Sequence, residues 1–433
     1  MTNKAILSNR IYFKPETAEQ YKEIMRQLTY RIEGKLNPKT KTKPVEIIRN
    51  YKTLPKGIIS IPQGRLDLVP PGYTIEDRRV TNVVPFPLPK YPLRDSQQPI
   101  YDEVVDTCFI NALVGWGKTF TALHIARKFE QKTLVITHTT ALRDQWIEEI
   151  ENLYGFKPGI IGSGKFDIED HFIVVGNVQT VTKYVDRINK EFGCVILDEA
   201  HHVPATTFAN IVDGMHARYR IGLSGTIQRT DGKHVIFRDY FGDKFFKPPQ
   251  SHTLNPVVKL VPTGVFLTPG ATWAQKINNL LYDPDYQQFV GSIAKRHVED
   301  GHSVLIVADR VEFLENVKEI VGDSCILITG ETSYEDRKTR LEQVETGQKM
   351  CIAGSRQIFS EGISINRLSC VILAVPTSNP ISLEQIIGRI MRLHPDKKDP
   401  VVIDLQFSSH AEKKQNNARL AFYASKGWDV VKV

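Results

Sequence analysis

The chain has 433 residues, 41% of them hydrophobic and 24% charged, an ordinary balance for a soluble globular protein of two or three domains. This excludes a disordered chain, a collagen-like fibre and a disulfide scaffold. No run of about 18 apolar residues is present to cross a membrane, and the start, MTNKAILSNR, lacks the apolar core of a secretory signal. Charge is uneven: residues 1–90 hold 17 Lys/Arg against 8 Asp/Glu, the remainder 39 against 41. A basic front on a nearly neutral body points to a polyanion, nucleic acid first.

In chain order, the first convincing element is a helix from about Glu16 to Ile32, with Tyr21, Ile24, Met25, Leu28 and Ile32 at helical spacing. Asn37–Lys43 is basic and turn-rich, and GIISIPQGRLDLVPPG reads as short strands broken by Pro and Gly. Val83–Leu93, with four prolines, reads as an extended linker. Apolar strands then alternate with helical patterns: Thr133–His138, Phe172–Asn177, Cys194–Glu199 and Tyr219–Gly225. After a looser stretch follow Ser303–Asp309, Cys325–Gly330, Lys349–Gly354, Cys370–Val375 and Pro400–Leu405. Such alternation predicts parallel sheets covered by helices on both faces. The expected organisation is α/β: a small basic N-terminal domain (1–88) and two tandem parallel-sheet domains (89–248 and 249–433). The five scattered cysteines read as buried thiols of a reducing compartment, the cytoplasm.

Ala112–Thr119, ALVGWGKT, fits a phosphate-binding loop with Ala in place of the first Gly. Gly115 and Gly117 let backbone N–H groups turn towards phosphate oxygens, and the following helix adds the positive end of its dipole. Lys118 can reach the β- and γ-phosphates, and Thr119 can ligate Mg²⁺. Val195–His201, VILDEAH, places two carboxylates at the C-terminal end of a buried strand, where parallel sheets bind ligands. Asp198 would hold Mg²⁺ through water, and Glu199 would orient or deprotonate the attacking water. His201 and His202 lack further metal ligands, so a hydrogen-bonding role between motifs is expected. The two motifs together define a nucleoside triphosphatase using Mg²⁺.

From about residue 93 onward the chain resembles the superfamily 2 helicases. LRDSQ is similar to the element that contacts adenine, with Gln97 as reader. THTTALRDQW and VGNVQTV resemble segments that hold the nucleic-acid backbone, through Thr139, Thr140 and Gln179. GLSGTIQRTDG resembles the coupling motif, with Ser224 and Thr226 joined to His201; Ile227 replaces the usual Pro. VLIVADR, ending in Arg310, and AGSRQIFSEGISI, with Gly362 on the nucleotide side, resemble the second-domain motifs that touch nucleic acid and nucleotide; Ser364 stands at the usual Asp. QIIGRIMR resembles the arginine motif: Gln385, Arg389 and Arg392, spaced i, i+4, i+7, fall on one helix face, and Arg389 or Arg392 would act on the γ-phosphate.

The resemblance implies two RecA-like motor domains. The DEAH sequence, RTDG, QIIGRIMR and ARLAFYASKGWDV are most similar to the branch-migration helicases of tailed phages. The implied task is ATP-driven remodelling of forks and Holliday-type junctions in replication, recombination and repair. The expected partner is branched DNA, without membrane, and the expected state a monomer. Alternatives are a duplex translocase that does not separate strands, or an ATPase clamp or annealing factor. In the N-terminal domain Arg10, Lys14, Arg31, Lys39, Lys41, Lys43 and Arg49 are the candidate phosphate contacts. The aromatics of Ile236–Pro249 are expected as core rather than as a strand-separating wedge.

Overall fold

The computed structural model describes residues 3–33, 44–112, 115–201, 205–225, 236–248, 254–265, 267, 271–360, 365–407 and 410–433. Lys39, Lys41, Lys43, His202, Thr226, Ile227, Gly362 and Ser364 lie outside these. The chain divides into two compact units, Met1–Pro249 and Gln250–Val433.

The first unit holds a small N-terminal module and a parallel-sheet lobe. The five strands of the module's main sheet run Lys52–Leu54, Ile58–Pro62, Arg10–Phe13, Lys4–Leu7, Thr74–Asp77, antiparallel except for the last pair. One helix, Ala18–Gln27, lies beside them, capped by the Thr17 hydroxyl, which accepts from Gln20 N. It stops five residues short of the Ile32 expected from periodicity. Thr29–Glu33 instead pairs antiparallel with Val45–Arg49, because the β-branched and aromatic residues Thr29, Tyr30 and Ile32 meet a strand partner that local spacing cannot reveal.

The lobe is an eight-stranded sheet in the order Lys165–Asp167, Gly159–Gly162, Ile173–Asn177, Thr133–Thr137, Cys194–Leu197, Tyr219–Ser224, Cys108–Asn111, Phe245–Phe246. It is parallel except for the edge hairpin. Apolar cores lie on both faces, as unbroken apolar strands require. The proline-rich stretch is extended but packed along the lobe, not a free tether. Val84 N donates to Glu130 O, Lys90 N to Leu153 O, and the buried Phe86 ring lies 6.0 Å from both Tyr154 and Phe172. Phe237, Tyr240 and Phe241 are buried, with Phe237 stacked 5.1 Å from Phe109, so this aromatic run is core.

The N-terminal module is welded to the lobe by buried charge. Asp239, 0% exposed, accepts from Tyr30 Oη at 2.7 Å, Asn50 Nδ2 at 2.7 Å and Arg65 Nη1 at 3.2 Å. Arg10, 2% exposed, donates to Asp213 at 2.5 Å and to Ser60 and Asn50. Arg10 is therefore an internal anchor rather than a phosphate contact, a correction to the charge-based reading. Lys14, Arg31 and Arg49 remain exposed. Burial is the first cause holding the Asp239 carboxyl above its usual range; the Tyr30, Asn50 and Arg65 contacts oppose it. Tyr30→Phe deletes one hydrogen bond to a buried carboxylate and is expected to cost about 1–3 kcal/mol, read as a lower thermal midpoint of the first unit.

The second unit has seven parallel strands in the order Cys325–Ile328, Cys351–Ser355, Val304–Ala308, Cys370–Leu373, Val401–Gln406, Val257–Pro262, Val430–Lys432. Its closing helix, His410–Lys426, sends Arg419 to Asp404, both buried, with Nε–Oδ1 at 2.9 Å. All five cysteines are buried free thiols. Among the described residues no helix is long and apolar enough to cross a membrane.

Candidate nucleotide and nucleic-acid site

Three neighbouring strands of the first lobe end at one edge: Cys194–Leu197, Tyr219–Ser224 and Cys108–Asn111. Their register puts Ser224 opposite Asn111, so the glycine loop, the acidic pair and the coupling segment emerge side by side. In the loop Gly115 (φ 90°) and Gly117 (φ 96°) are left-handed, a conformation side-chain-bearing residues rarely adopt. Gly117 caps the helix Lys118–Phe129, whose first turn contains no acid. A Cβ on Gly117 would run into the Gln97 amide.

Gln97 is fully buried. Its Nε2 donates to Trp116 O at 3.0 Å and its Oε1 accepts from Arg94 N at 3.0 Å. The amide expected to read adenine is thus engaged with the loop's own backbone.

Lys118 Nζ donates to Ala112 O at 3.0 Å and lies 3.9 Å from Glu199 Oε1. Thr119 is half-buried in the same first turn. Asp198 accepts from Glu199 N at 2.9 Å on Oδ1 and from Trp146 Nε1 at 2.8 Å on Oδ2. Burial, then the neighbouring Glu199 charge, raises the Asp198 carboxyl above its usual range. Glu199 has φ 45°, a strained conformation for a residue with a Cβ, of the kind that collects at functional sites. Its Oε2 lies 3.2 Å from His201 Nδ1, and that nitrogen lies 2.7 Å from the buried Ser224 Oγ. Ser224 O accepts from Ala112 N, closing a path from the acids through His201 to the loop. Two crowded carboxylates and a threonine hydroxyl form a hard-oxygen donor set suited to Mg²⁺, and the Lys118 ammonium beside them suits the charge of a triphosphate.

Thr139 caps the helix Thr140–Tyr154, accepting from Leu142 N at 3.3 Å. Thr140 and Gln179 are exposed, and Gln179 Nε2 reaches His138 O at 3.5 Å. The structure therefore brings Thr139, Thr140 and Gln179 to the ends of two adjacent strands. Sequence reasoning missed Trp146 and Arg143. Their spacing, 140, 143, 146 along one helix, was the available signal.

In the second unit Arg310 Nε donates to Asn278 Oδ1 at 2.9 Å, and Arg356 pairs with Asp309. Gln385, Arg389 and Arg392 are buried. Only Gln385 lies in the helix, Pro380–Ile387. Arg389 and Arg392 follow in turns, with Arg389 N bonded to Ile386 O and Ile390 N to Ile387 O. The single helical face expected from i, i+4, i+7 spacing is corrected accordingly: the helix ends before Gly388, a poor helix former, and the backbone tightens to i→i+3 bonds. Arg389 Nε donates to Phe359 O at 3.2 Å. Lys397 Nζ satisfies carbonyls of this turn, donating to Ile390 O at 2.7 Å and Arg392 O at 2.6 Å.

Residues 90–229 match the family described as type III restriction enzyme, res subunit, and residues 286–394 the helicase conserved C-terminal domain. Over 99% of its length the chain is 41% identical to the probable helicase D10 of Escherichia phage T5, of which it covers 96%. The chain belongs to the superfamily 2 helicases. Family membership makes it an ATP-dependent helicase acting on nucleic acid. The ATP-dependent DNA helicase uvsW of Enterobacteria phage T4 is 26% identical over 72% of this chain and 67% of that protein. A relative from Acanthamoeba polyphaga mimivirus, 28% identical over 73% of this chain and 64% of its own length, bears an RNA helicase name. Among solved structures, S. cerevisiae Dbp5 bound to RNA and ADP BeF3 covers 78% of this chain and 89% of its own at 14% identity and a TM-score of 0.55. That likeness shows the two-domain RecA-like fold.

Proposed function

We propose that this helicase remodels branched DNA, forks and four-way junctions, during phage replication, recombination and repair. The observation that carries the reading is the convergence of Lys118, Asp198, Glu199, His201 and Ser224 at the ends of three adjacent strands. A basic module is tied into the same compact unit through Asp239 and Arg10. A module held this firmly can present Lys14, Arg31 and Arg49 to a duplex arm while the lobe grips a strand through Thr139, Thr140 and Gln179. The DNA helicase name of the T4 relative supports the substrate class.

In this mechanism Gly115, Gly117 and Lys118 cradle the phosphates, while Thr119 and Asp198 would hold Mg²⁺, Asp198 through water. The bound ion would neutralise phosphate charge. Glu199 orients the attacking water and takes its proton. The resulting change at Glu199 passes to Ser224 through His201. Arg389 or Arg392 adds positive charge, and the neutral Gln385 amide a hydrogen-bond donor, that stabilise charge on the transferred phosphoryl group. Lys39, Lys41, Lys43, Arg310, Gly362 and Thr226 keep their proposed roles at the nucleic acid, nucleotide and coupling segments, and the working unit is a monomer.

The test is ATP turnover against a panel: no nucleic acid, single-stranded DNA, blunt duplex, fork, four-way junction and structured RNA. Highest stimulation by fork and junction is the expected result. Equal stimulation by blunt duplex would favour the translocase that does not separate strands, to which the restriction-enzyme match lends support. A preference for RNA would overturn the DNA reading.

A further inference from the structure

Asp198 is held from a helix that belongs to the candidate nucleic-acid grip. Thr140–Tyr154 begins at the Thr139 cap and ends at Gly155 in the left-handed region. Among its buried side chains, Arg143 and Trp146 hydrogen-bond to side chains of neighbouring segments. Arg143 donates to Ser163 Oγ at 2.8 Å and to Asn177 Oδ1 at 3.2 Å, and Asn177 immediately precedes the helix that carries Gln179. One turn later Trp146, 1% exposed, donates its indole N–H to Asp198 Oδ2 at 2.8 Å. A buried indole with its N–H satisfied by a carboxylate has both its packing and its direction fixed. It also supplies one of the two hydrogen bonds named above for the Asp198 carboxylate, the other coming from Glu199 N.

We infer that Trp146 is a positioning residue for Asp198, fixing the rotation of its carboxylate so that the metal-facing oxygen is set from the nucleic-acid-gripping helix. This rests on the reading of Asp198 as the Mg²⁺-holding acid. Without the indole donor the buried carboxylate loses one of its restraints and is free to turn about its terminal torsion. The donor lies on the same helix as the Thr139 cap and the Arg143 link, so a displacement of that helix reaches Asp198 through a single hydrogen bond.

Trp146→Phe keeps an aromatic ring in the core and removes the N–H. At saturating ATP, kcat is expected to fall about tenfold or more, the worth of a hydrogen bond to a charged group, with KM for ATP changed less than about twofold. The Mg²⁺ requirement is expected to rise, read as half-maximal turnover and, without turnover, as weaker Mn²⁺ binding in an electron paramagnetic resonance titration with a non-hydrolysable ATP analogue; a purely packing role would shift neither. If Trp146→Phe fails to fold, replacing the indole by the isosteric benzothiophene, which has no N–H, makes the same test. A folded variant with unchanged kcat and Mg²⁺ requirement overturns the inference, even if its thermal midpoint drops. Asp198→Asn, measured in parallel, separates the two levels. Full turnover in Asp198→Asn would defeat the reading of the site itself. An inactive Asp198→Asn beside a fully active Trp146→Phe would defeat only the role of Trp146.

Discussion

Glu199→Gln is expected to lower steady-state ATP turnover by roughly 10²–10⁴-fold, the usual contribution of a positioned general base. The substitution keeps the side chain's size and its place beside Lys118 Nζ and His201 but removes the basic oxygen. ATP binding is expected to persist, because the glycine loop and Lys118 are untouched. Steady-state hydrolysis and equilibrium binding of a fluorescent ATP analogue separate the two. Turnover within tenfold of wild type would assign the proton transfer to another group. The left-handed backbone at Glu199 adds a reason for confining the replacement to Gln: glycine there would relieve strain and alter geometry as well as chemistry.

Asp239→Ala is expected to destabilise the first unit by about 3–5 kcal/mol, the scale of breaking a buried ion pair and stranding its partners. Arg65 is 3% exposed, and Tyr30 and Asn50 would lose the same acceptor. At about 2–4 °C per kcal/mol for a unit of this size, the thermal midpoint should drop on the order of 10 °C. Differential scanning calorimetry reads it directly, and a shift below about 2 °C would show that water satisfies these groups at little cost. Deleting residues 1–88 would do the same damage, since it removes Tyr30, Asn50 and Arg65 together and uncovers Asp239, Asp213 and Arg220. Nucleic-acid binding by the module is therefore better probed by charge-neutralising Lys14, Arg31 and Arg49, which are exposed and lie outside the buried network.

The parts of the molecule that were legible in the sequence are those whose physics is local. A β-branched run such as TLVIT or CVIL must be a buried strand, and the glycine loop and the VILDEAH acids carry their geometry in adjacent residues. What escaped depends on pairs far apart in the chain. Trp146 and Asp198 are 52 positions apart and Tyr30 and Asp239 are 209 apart, and no spacing rule joins them. The same cause misplaced the end of the first helix, where a strand partner at Val45–Arg49 outcompeted helical periodicity. Arg10 shows the limit of charge counting, because a surplus of basic residues does not say which are internal. Arg389 and Arg392 show that the spacing of a motif does not fix its secondary structure, since the helix ends at Ile387.

The most direct test of the account is strand release from a forked DNA, followed with ATP and with a non-hydrolysable analogue, for the wild type and for Lys118→Ala. The account predicts release by the wild type with ATP alone, and none by Lys118→Ala under either condition. Release that persists in Lys118→Ala, or that proceeds equally with the analogue, would contradict it by showing that binding, not ATP turnover at this site, separates the strands.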